Sequence, residues 1–319
     1  MNIWEKIQAV DKRWLFLILV ICASAGLFIP AEVPAKADVS SIALYQNYMA
    51  LDPNKPMLIQ SDWTNSTRGE NLGHLESLLR VIMARKQKFV IFSLADPQAP
   101  QVARDALVFL NEERKKHGLE PYQKGKDYLD LGYFPNAEGS TQSMGSNLKK
   151  HWTGRRTRTP DQGEIDIFDS PVLKGVKKIE DCAGIVYITA SNTIDTGIQR
   201  LSGKVKIFCM CTGVVGPQIL PYFQSGQVAG LAVGLKGVYD MELMMNYGVN
   251  VKDDKGVAKV ETPAGDVTPV LDSQVKFGRG KQYYAALNVV LGLLVIAVIV
   301  GNVTMLLAKK AVGGNANGA

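Results

Sequence analysis

Carboxylate, hydroxyl and amide side chains follow several apolar runs of this sequence, and such side chains can carry acid–base chemistry. Asp62 ends the run Pro56–Asp62, and Asp96 ends the run Lys88–Asp96. Two such aspartates could act as acid and base, or share a metal ion, if the fold brought them together. The candidate ligand-binding residues are Asp62, Trp63, Thr64, Asn65, Asp96, Thr189, Ser191, Asn192 and Thr212.

A capping role is the favoured interpretation of most of these residues. Short oxygen-bearing side chains accept the free N–H groups of a first helical turn, and an Asp–Pro pair commonly opens a helix. The residues placed to act in this way are Asp62, Thr64, Ser66, Asp96, Ser191 and Asn192.

Several motifs that mark well-known chemistries are missing from the sequence. It has no G-x-x-x-x-G-K-[ST] phosphate loop, no G-x-G-x-x-G after the first strand and no G-x-S-x-G elbow. Its three histidines are scattered, and Cys209 and Cys211 are interpreted as small buried strand residues that share one face. The sequence therefore predicts no catalytic residue, metal or cofactor, and favours a protein that is not an enzyme.

Between Pro56 and about Tyr247, short β-like runs alternate with helical patterns. Strand–helix–strand alternation favours parallel pairing through right-handed crossovers. We therefore predict a doubly wound, mostly parallel, Rossmann-like α/β sheet of five or six strands, with the candidate residues at its carboxyl edge. Residues 136–171, which are polar and rich in glycine and have weak periodicity, are predicted to form a long excursion over one end of the sheet.

Two uncharged apolar segments, Trp14–Ala31 and Gln282–Ala308, flank this region. A membrane span needs about 20 apolar residues, so both segments are predicted to be transmembrane helices. The first also has the features of a cleaved signal peptide, with Ala23–Ala25 as an A-x-A site, but its apolar run continues beyond that site. An uncleaved anchor is therefore favoured.

The charge distribution supports membrane insertion and argues against a nucleic-acid partner. Outside residues 31–280 the chain has six Lys and Arg and two acidic residues, so 36 − 6 = 30 basic and 30 − 2 = 28 acidic residues remain inside. Lys6, Lys12 and Arg13 precede the first apolar segment, which predicts a cytoplasmic N-terminus and an extracytoplasmic α/β domain in the cytoplasmic membrane. The odd number of cysteines in that domain points weakly the other way.

These patterns divide the chain into seven predicted parts. They are a cytoplasmic N-terminus (1–13), a first transmembrane helix (14–31), a linker with a short helix (32–55), the α/β domain (56–248), a linker or stalk (249–281), a second transmembrane helix (282–308) and a cytoplasmic tail (309–319).

A glycine-rich stretch, Pro221–Gly237, could allow close approach of a ligand or of a neighbouring subunit, or could pack tightly within the domain. In the second apolar segment, Asn302 could form hydrogen bonds between helices or lie near the membrane surface. The candidate interface residues are Tyr222, Ser225, Gly226, Gly230, Gly234, Gly237 and Asn302.

Four stretches resemble a poorly characterised family of prokaryotic membrane proteins. They are WEKIQAVDKRWLFLIL near the start, KDYLDLGYFPN from Lys126, PYFQSGQVAGLAVGLKG from Pro221, and the final apolar helix. The resemblance implies an α/β domain held between an N-terminal and a C-terminal membrane helix. It carries no functional residue over to this chain.

Three functions remain open from the sequence. The first is a non-enzymatic structural or interaction subunit of a membrane assembly, whose partners are the lipid bilayer and homo- or hetero-oligomeric membrane proteins. The second is a membrane-anchored sensor that binds a small ligand. The third is a membrane-bound hydrolase or transferase that uses Asp62 and Asp96.

Overall fold

The structure, a computed structural model, describes residues 9–28, 36–247, 250–252, 258–260 and 278–316. The chain divides into two compact units. One comprises Ala35–Gly280, and the other comprises Met1–Pro34 together with Lys281–Ala319. The first unit contains the predicted α/β domain, and the second contains most of both apolar helices.

The described residues form the following elements. The helices are α1 (Lys12–Phe28), α2 (Val39–Met49), α3 (Arg68–Ala84), α4 (Ala99–Lys116), α5 (Ala137–Trp152), α6 (Thr193–Leu201), α7 (Gly216–Gln224), α8 (Gly234–Tyr247) and α9 (Arg279–Ala316). The strands are β1 (Met57–Asp62), β2 (Phe89–Ser93), β3 (Tyr128–Tyr133), β4 (Arg156–Thr159), β5 (Gly163–Asp166), β6 (Gly184–Thr189), β7 (Ile207–Cys211), β8 (Gly230–Val233), β9 (Asn250–Lys252) and β10 (Ala258–Val260). Short 3₁₀ turns at Asn65–Thr67 and Ile179–Asp181 precede α3 and β6.

Six strands form one sheet in the order β3-β2-β1-β6-β7-β8, and each neighbouring pair is parallel. β1, β2, β6 and β7 are buried along their whole length, as expected of strands covered on both faces. The strand order changes direction between β1 and β6, which is the doubly wound arrangement. The predicted Rossmann-like α/β sheet is therefore confirmed, with the crevice for a ligand expected at the carboxyl ends of β1 and β6.

Two hydrophobic cores lie on opposite faces of the sheet. One core holds the apolar side chains of α2, α3, α4 and α8, and the other holds those of α5, α6 and α7. Alternate residues of the central strands point into the two cores, so Ile59 and Val186 belong to the first, while Leu58 and Tyr187 belong to the second. This alternation also places Cys209 and Cys211 on one face, where both thiols are buried and free.

Residues 136–171 are more regular than the sequence predicted. They contain α5 and an antiparallel hairpin of β4 and β5, in which Arg156 pairs with Asp166. α5 reaches the core through Met144, Leu148 and Trp152, which are spaced four residues apart. The periodicity of this segment is weak in the sequence because these three apolar residues are enough to bury one side of a mostly polar element, whose helix is interrupted at Asn147.

Within the described residues, one helix is long and apolar enough to cross a membrane, and the sequence had predicted two. This candidate span is Arg279–Leu307 of α9, whose most apolar part has a mean hydropathy of 2.7 and is only 6% buried. α1 has 17 residues, or about 26 Å of helix against the roughly 30 Å hydrocarbon core of a bilayer. The last part of the first predicted span, residues 29–31, lies outside the described residues.

The segments that connect the two units are described only in part. The short helix expected in residues 32–55 is α2. Most of the linker predicted over residues 249–281 lies outside the described residues, which include the antiparallel pair β9 and β10. At the C-terminus, α9 continues through Ala316 and so extends beyond the predicted end at residue 308.

Candidate functional site

Asp62, at the carboxyl end of β1, accepts five hydrogen bonds from protein groups. The donors are Ser93 Oγ, Leu94 N and Ala95 N to Oδ1, at 2.9, 2.8 and 3.2 Å, and Gln60 Nε2 and Thr193 Oγ1 to Oδ2, at 2.5 and 3.0 Å. A carboxylate offers about four lone-pair positions, so this one has none left for a substrate or a metal. The residue is also only 3% exposed.

The partners of Asp62 come from three separate parts of the α/β domain. They lie on β1 itself, on the connection between β2 and α4, and on the first residue of α6. Asp62 therefore joins the two halves of the sheet at the point where the strand order changes direction. This role is structural, and it differs from the capping role that the sequence favoured.

The capping predictions for α3 and α6 were wrong. The N-cap of α3 is Thr67 and that of α6 is Asn192, and neither side chain accepts a hydrogen bond from a backbone N–H of its helix. The hydroxyl of Thr64 instead pairs with that of Ser66, at 2.9 Å. The 3₁₀ turn before α3 moves the helix start beyond the reach of Asp62, which the sequence pattern did not show.

Asp96 does form the predicted turn that leads into a helix. Its Oδ1 accepts the backbone N–H of Gln98 at 2.7 Å, just before α4 begins. Ser93 lies between the two aspartates, because its hydroxyl is 2.9 Å from Asp62 Oδ1 and 3.4 Å from the backbone oxygen of Asp96. The two carboxylates thus lie at the same edge of the sheet, but Asp62 accepts five hydrogen bonds from the protein and the side chain of Asp96 accepts one.

A group of hydroxyl residues continues this network across the end of β6. Thr189 Oγ1 lies 3.2 Å from Ser191 Oγ and 3.4 Å from Thr193 Oγ1, and Thr193 donates to Asp62. The backbone N–H of Thr212, after β7, donates to the backbone oxygen of Thr189 at 3.2 Å. The structure therefore brings Asp62, Thr189, Ser191 and Thr212 together.

The other candidates at this edge differ in exposure. Asn65 and Asn192 are exposed, and Thr64 is half-buried. Trp63 is 2% exposed, and its indole N–H has no hydrogen-bond partner within the described part of the chain. A buried indole N–H normally finds an acceptor, which makes Trp63 the candidate with unused hydrogen-bonding capacity.

Polar residues on α3 extend the site and were missed from the sequence. Glu70 Oε2 accepts the backbone N–H of Gly213 at 2.7 Å, and His74 Nε2 lies 3.1 Å from the backbone oxygen of Cys211. Asn71 donates to Thr67 Oγ1 at 3.3 Å, and its Oδ1 has no partner among the described residues. These residues could have been noticed in the sequence, because polar side chains interrupt the apolar pattern of the predicted helix that became α3.

His74 is fully buried, and burial lowers its pKa to about 4. Because a backbone oxygen can only accept, the ring donates through Nε2 to Cys211, and Nδ1 carries a lone pair. Nδ1 has no partner among the described residues. The imidazole is thus held neutral at physiological pH and presents an acceptor to the core.

Acid should destabilise the domain through His74. The unfolded chain takes up a proton near pH 6.5 and the folded chain only near pH 4, so the free energy of unfolding falls as the pH drops through this window. The loss should reach about 3 kcal/mol. Urea unfolding at pH 7 and pH 4.5 should show this loss in the wild type and not in His74→Gln, which keeps an N–H donor for Cys211.

Burial raises the pKa values of carboxylates such as Glu76 and Asp240, so acid stabilises the fold through these groups. This effect is present in both the wild type and His74→Gln, and the difference between the two proteins therefore isolates the contribution of His74. His117→Gln provides the matched control, because it leaves the buried imidazole in place and should retain the wild-type acid sensitivity. Equal pH dependence in His74→Gln and wild type would exclude this role for His74.

Three of the candidate interface glycines pack inside the domain. A Cβ at Gly230 would lie 2.1 Å from Leu44 Cα, and one at Gly237 would lie 2.7 Å from the backbone carbon of Ala232. Gly234 has a φ of +57° and lies beside Glu70, at the start of α8. By contrast, Ser225 and Gly226 are exposed, and Tyr222 is half-buried.

A shallow cavity of about 300 Å³ opens at the opposite, amino-terminal edge of the sheet. Lys88, Lys126 and Lys174 line it together with Asp161 and Asp169. Lys88 already donates to the backbone oxygen of Pro171 at 2.9 Å. Among the described residues, no group of three or more His, Cys, Asp or Glu side chains is placed to hold a metal ion.

No family model, curated protein or solved structure matches this chain. Its function is therefore inferred from the fold and from the contacts of its own residues.

Proposed function

We propose that this protein is a non-enzymatic structural or interaction subunit of a prokaryotic membrane assembly. In this proposal α1 and α9 both anchor the chain in the cytoplasmic membrane, with the α/β domain on the extracytoplasmic side. The observation that carries the proposal is that α8 holds both ends of the α/β domain, where the chain leaves towards the two apolar segments.

At the N-terminal end, a buried carboxylate of α8 binds the backbone. Asp240 is fully buried, and its Oδ2 accepts the backbone N–H of Asp38 at 2.9 Å. Lys236, one turn earlier, forms an ion pair with Asp240 and donates to the backbone oxygen of Lys36 at 2.7 Å. This pairing offsets part of the cost of burying the carboxylate.

At the C-terminal end, the next carboxylate on α8 has the equivalent role. Glu242 is 2% exposed, and its Oε1 accepts the backbone N–H of Gly280 at 3.0 Å. Arg279 forms an ion pair with the buried Glu76 of α3, at 3.1 Å. A Cβ at Gly280 would lie 2.8 Å from the backbone of Tyr239, so this end of the domain is packed closely against α8.

Asp240 and Glu242 are two residues apart on one helix, although they hold positions of the chain far apart in sequence. A buried hydrogen bond to a charged group typically contributes about 2 kcal/mol, so each carboxylate stabilises the attachment of one end of the domain to α8. An enzyme that acts independently of other proteins would not require both ends of its domain to be held in this way. These attachments suit a subunit that transmits load or position between membrane and partner proteins.

Loss of the Glu242 carboxylate should loosen the C-terminal attachment. In Glu242→Ala, the Gly280 N–H loses its acceptor, which is worth about 2 kcal/mol, or roughly a 30-fold faster local exchange. Hydrogen–deuterium exchange of the peptide containing Gly280 measures this change. Glu113→Ala, which removes a half-buried carboxylate of α4 paired with Lys116, should leave that peptide unchanged. Unchanged exchange in Glu242→Ala would show that α8 does not hold this end.

The proposed function is tested by extracting the full chain from native membranes in mild detergent, followed by sizing and identification of co-purifying proteins. A particle much larger than one chain, with the same partners in each preparation, is the expected result. A lone monomer would argue against a structural subunit. Release of the chain by alkaline carbonate would argue against membrane anchoring itself.

A ligand sensor is the second candidate, and unpaired buried atoms favour it. Trp63, Asn71 and His74 each keep one buried polar atom without a partner among the described residues, close to the carboxyl edge of the sheet. α8 also begins there, because Gly234 lies beside Glu70 and Gly213. A ligand at this edge could therefore act on the helix that holds both ends of the domain.

A thermal-shift screen with small polar metabolites tests the sensor. Trp63→Phe is the informative variant, because it removes one N–H and leaves most of the buried ring. A ligand that stabilises the wild type and not Trp63→Phe would support this candidate, and no shift across the screen would argue against it. The paired-acid enzyme is the least favoured of the three candidates, because the carboxylate of Asp62 accepts five hydrogen bonds from protein groups.

A further inference from the structure

α9 has two opposite faces, and α1 contacts one of them at Ala286. Ala286 is buried, and Val290 and Leu293 are half-buried, at the spacing of one helical stripe. A Cβ at Gly26 of α1 would lie 2.9 Å from Ala286 Cα, so the two helices touch closely at this point. This face of α9 is therefore in contact with α1 at Ala286, and it is partly buried as far as Leu293.

Within the described part of the chain, the opposite face of α9 is exposed from Gly292 to Asn302. Two residues along a helix correspond to a rotation of about 200°, so a stripe that begins at Asn288 lies opposite the one that begins at Ala286. Its members, spaced by four and three residues, are Asn288, Gly292, Val295, Ile299 and Asn302. Val295 and Ile299 are more than half exposed, and Gly292 has no atom within 4 Å of a Cβ position.

Asn302 is the unusual member of this stripe. Two other polar side chains of the segment bond to their own helix: Thr304 Oγ1 donates to the backbone oxygen of Val300 at 2.8 Å, and Asn288 Nδ2 donates to that of Tyr284 at 2.7 Å. Asn302 is exposed and has no hydrogen-bond partner within the described part of the chain. Exposed apolar residues continue past it through Leu306, so it lies inside the apolar surface.

An unpaired amide in hydrocarbon is costly, and a neighbouring helix is the usual source of a partner. We propose that the stripe Asn288–Asn302 binds the same stripe of a second copy of this chain, in a parallel pair. This inference rests on the proposed membrane anchoring. An amide both donates and accepts, and a two-fold axis places Asn302 opposite itself at the same depth.

The sequence spacing of the stripe fits such a pair. Alternating steps of four and three residues give the seam of a left-handed helix pair. Gly292 lets the two backbones approach at the middle of the seam, as small residues do in membrane helices. Another protein would need a polar group at the same depth, whereas a second copy supplies one automatically.

Cysteine cross-linking of the full chain in native membranes tests the pairing. Val295→Cys should give a disulfide-linked dimer on oxidation, and Leu294→Cys, about 100° away around the helix, should not. Adding Asn302→Leu to Val295→Cys should lower the dimer fraction about tenfold. Gly292→Ile should abolish the dimer, whereas Gly301→Ile should retain it, since both glycines have open space around them within the chain.

Equal cross-linking of the two cysteine variants, or an unchanged dimer with Asn302→Leu, would overturn the pairing. A chain that resists carbonate extraction but remains monomeric would also overturn it, while leaving the membrane anchoring intact. A chain that carbonate releases would overturn the proposed anchoring and the pairing together.

Discussion

Asp62→Asn should lower the stability of the α/β domain by about 3–5 kcal/mol, because two or more buried donors lose their acceptor. An amide replaces one carboxylate oxygen with an NH₂ group, which then faces either Gln60 and Thr193 or the three donors from Ser93, Leu94 and Ala95. Thermal unfolding of the full chain in detergent should show a fall in Tm of roughly 10 °C.

Asp96→Asn is the matched control for this prediction. Asp96 is half-buried and accepts one hydrogen bond, from the backbone of Gln98, and asparagine forms the same turn. Its Tm should stay within about 2 °C of the wild type, a cost of less than about 1 kcal/mol. If Asp62→Asn instead kept the wild-type Tm and changed ligand binding, Asp62 would belong to a site and not to the framework.

Gly230→Ala should have an effect of similar size, for a steric reason. The new Cβ would lie 2.1 Å from Leu44 Cα and 2.5 Å from its backbone nitrogen, so α2 must move away from β8. Backbone cannot rotate aside as a side chain can, and overpacking of this kind typically costs about 1–3 kcal/mol or more. Urea unfolding should show a lower midpoint with an unchanged slope.

Gly69→Ala is the matched control, because it adds the same methyl group at a position with open space around it. Gly69 lies in the first turn of α3, with no atom within 4 Å of a Cβ position. Alanine there should be neutral or stabilise the helix by up to about 1 kcal/mol. If the two variants had equal midpoints, the contact between β8 and α2 would not be a close-packed one.

The alternation of strands and helices was predictable because each element buries a local apolar pattern. "PMLIQSD" and "KFVIFSLAD" each contain a short apolar run, Met57–Ile59 and Phe89–Phe92, and they became β1 and β2 within the sheet. α5 was missed because its apolar positions, Met144, Leu148 and Trp152, are sparse in a polar segment. The local apolar pattern thus predicts an element where apolar residues are closely spaced, and it fails where an element contributes only a few apolar residues to the core.

The location of the candidate site was predictable from the sequence, but its full set of residues and the hydrogen-bond partners of Asp62 were not. Parallel strands bring their carboxyl ends to one edge, so Asp62, Thr189 and Thr212 could be placed together from strand positions alone. Glu70 and His74 were missed, because a helix residue reaches this edge only through the way α3 crosses the sheet. The capping role of Asp62 was wrong because its partners lie on other elements.

By itself, the sequence determined the doubly wound α/β sheet and the apolar C-terminal helix, since both follow from runs of neighbouring residues. Only the tertiary structure decided what the polar residues do. Asp62 meets Thr193 across 131 residues, and Asp240 meets the backbone of Asp38 across 202. Such contacts depend on the strand order and on the side of the sheet that each helix covers. The local periodicity of the sequence predicts neither of these.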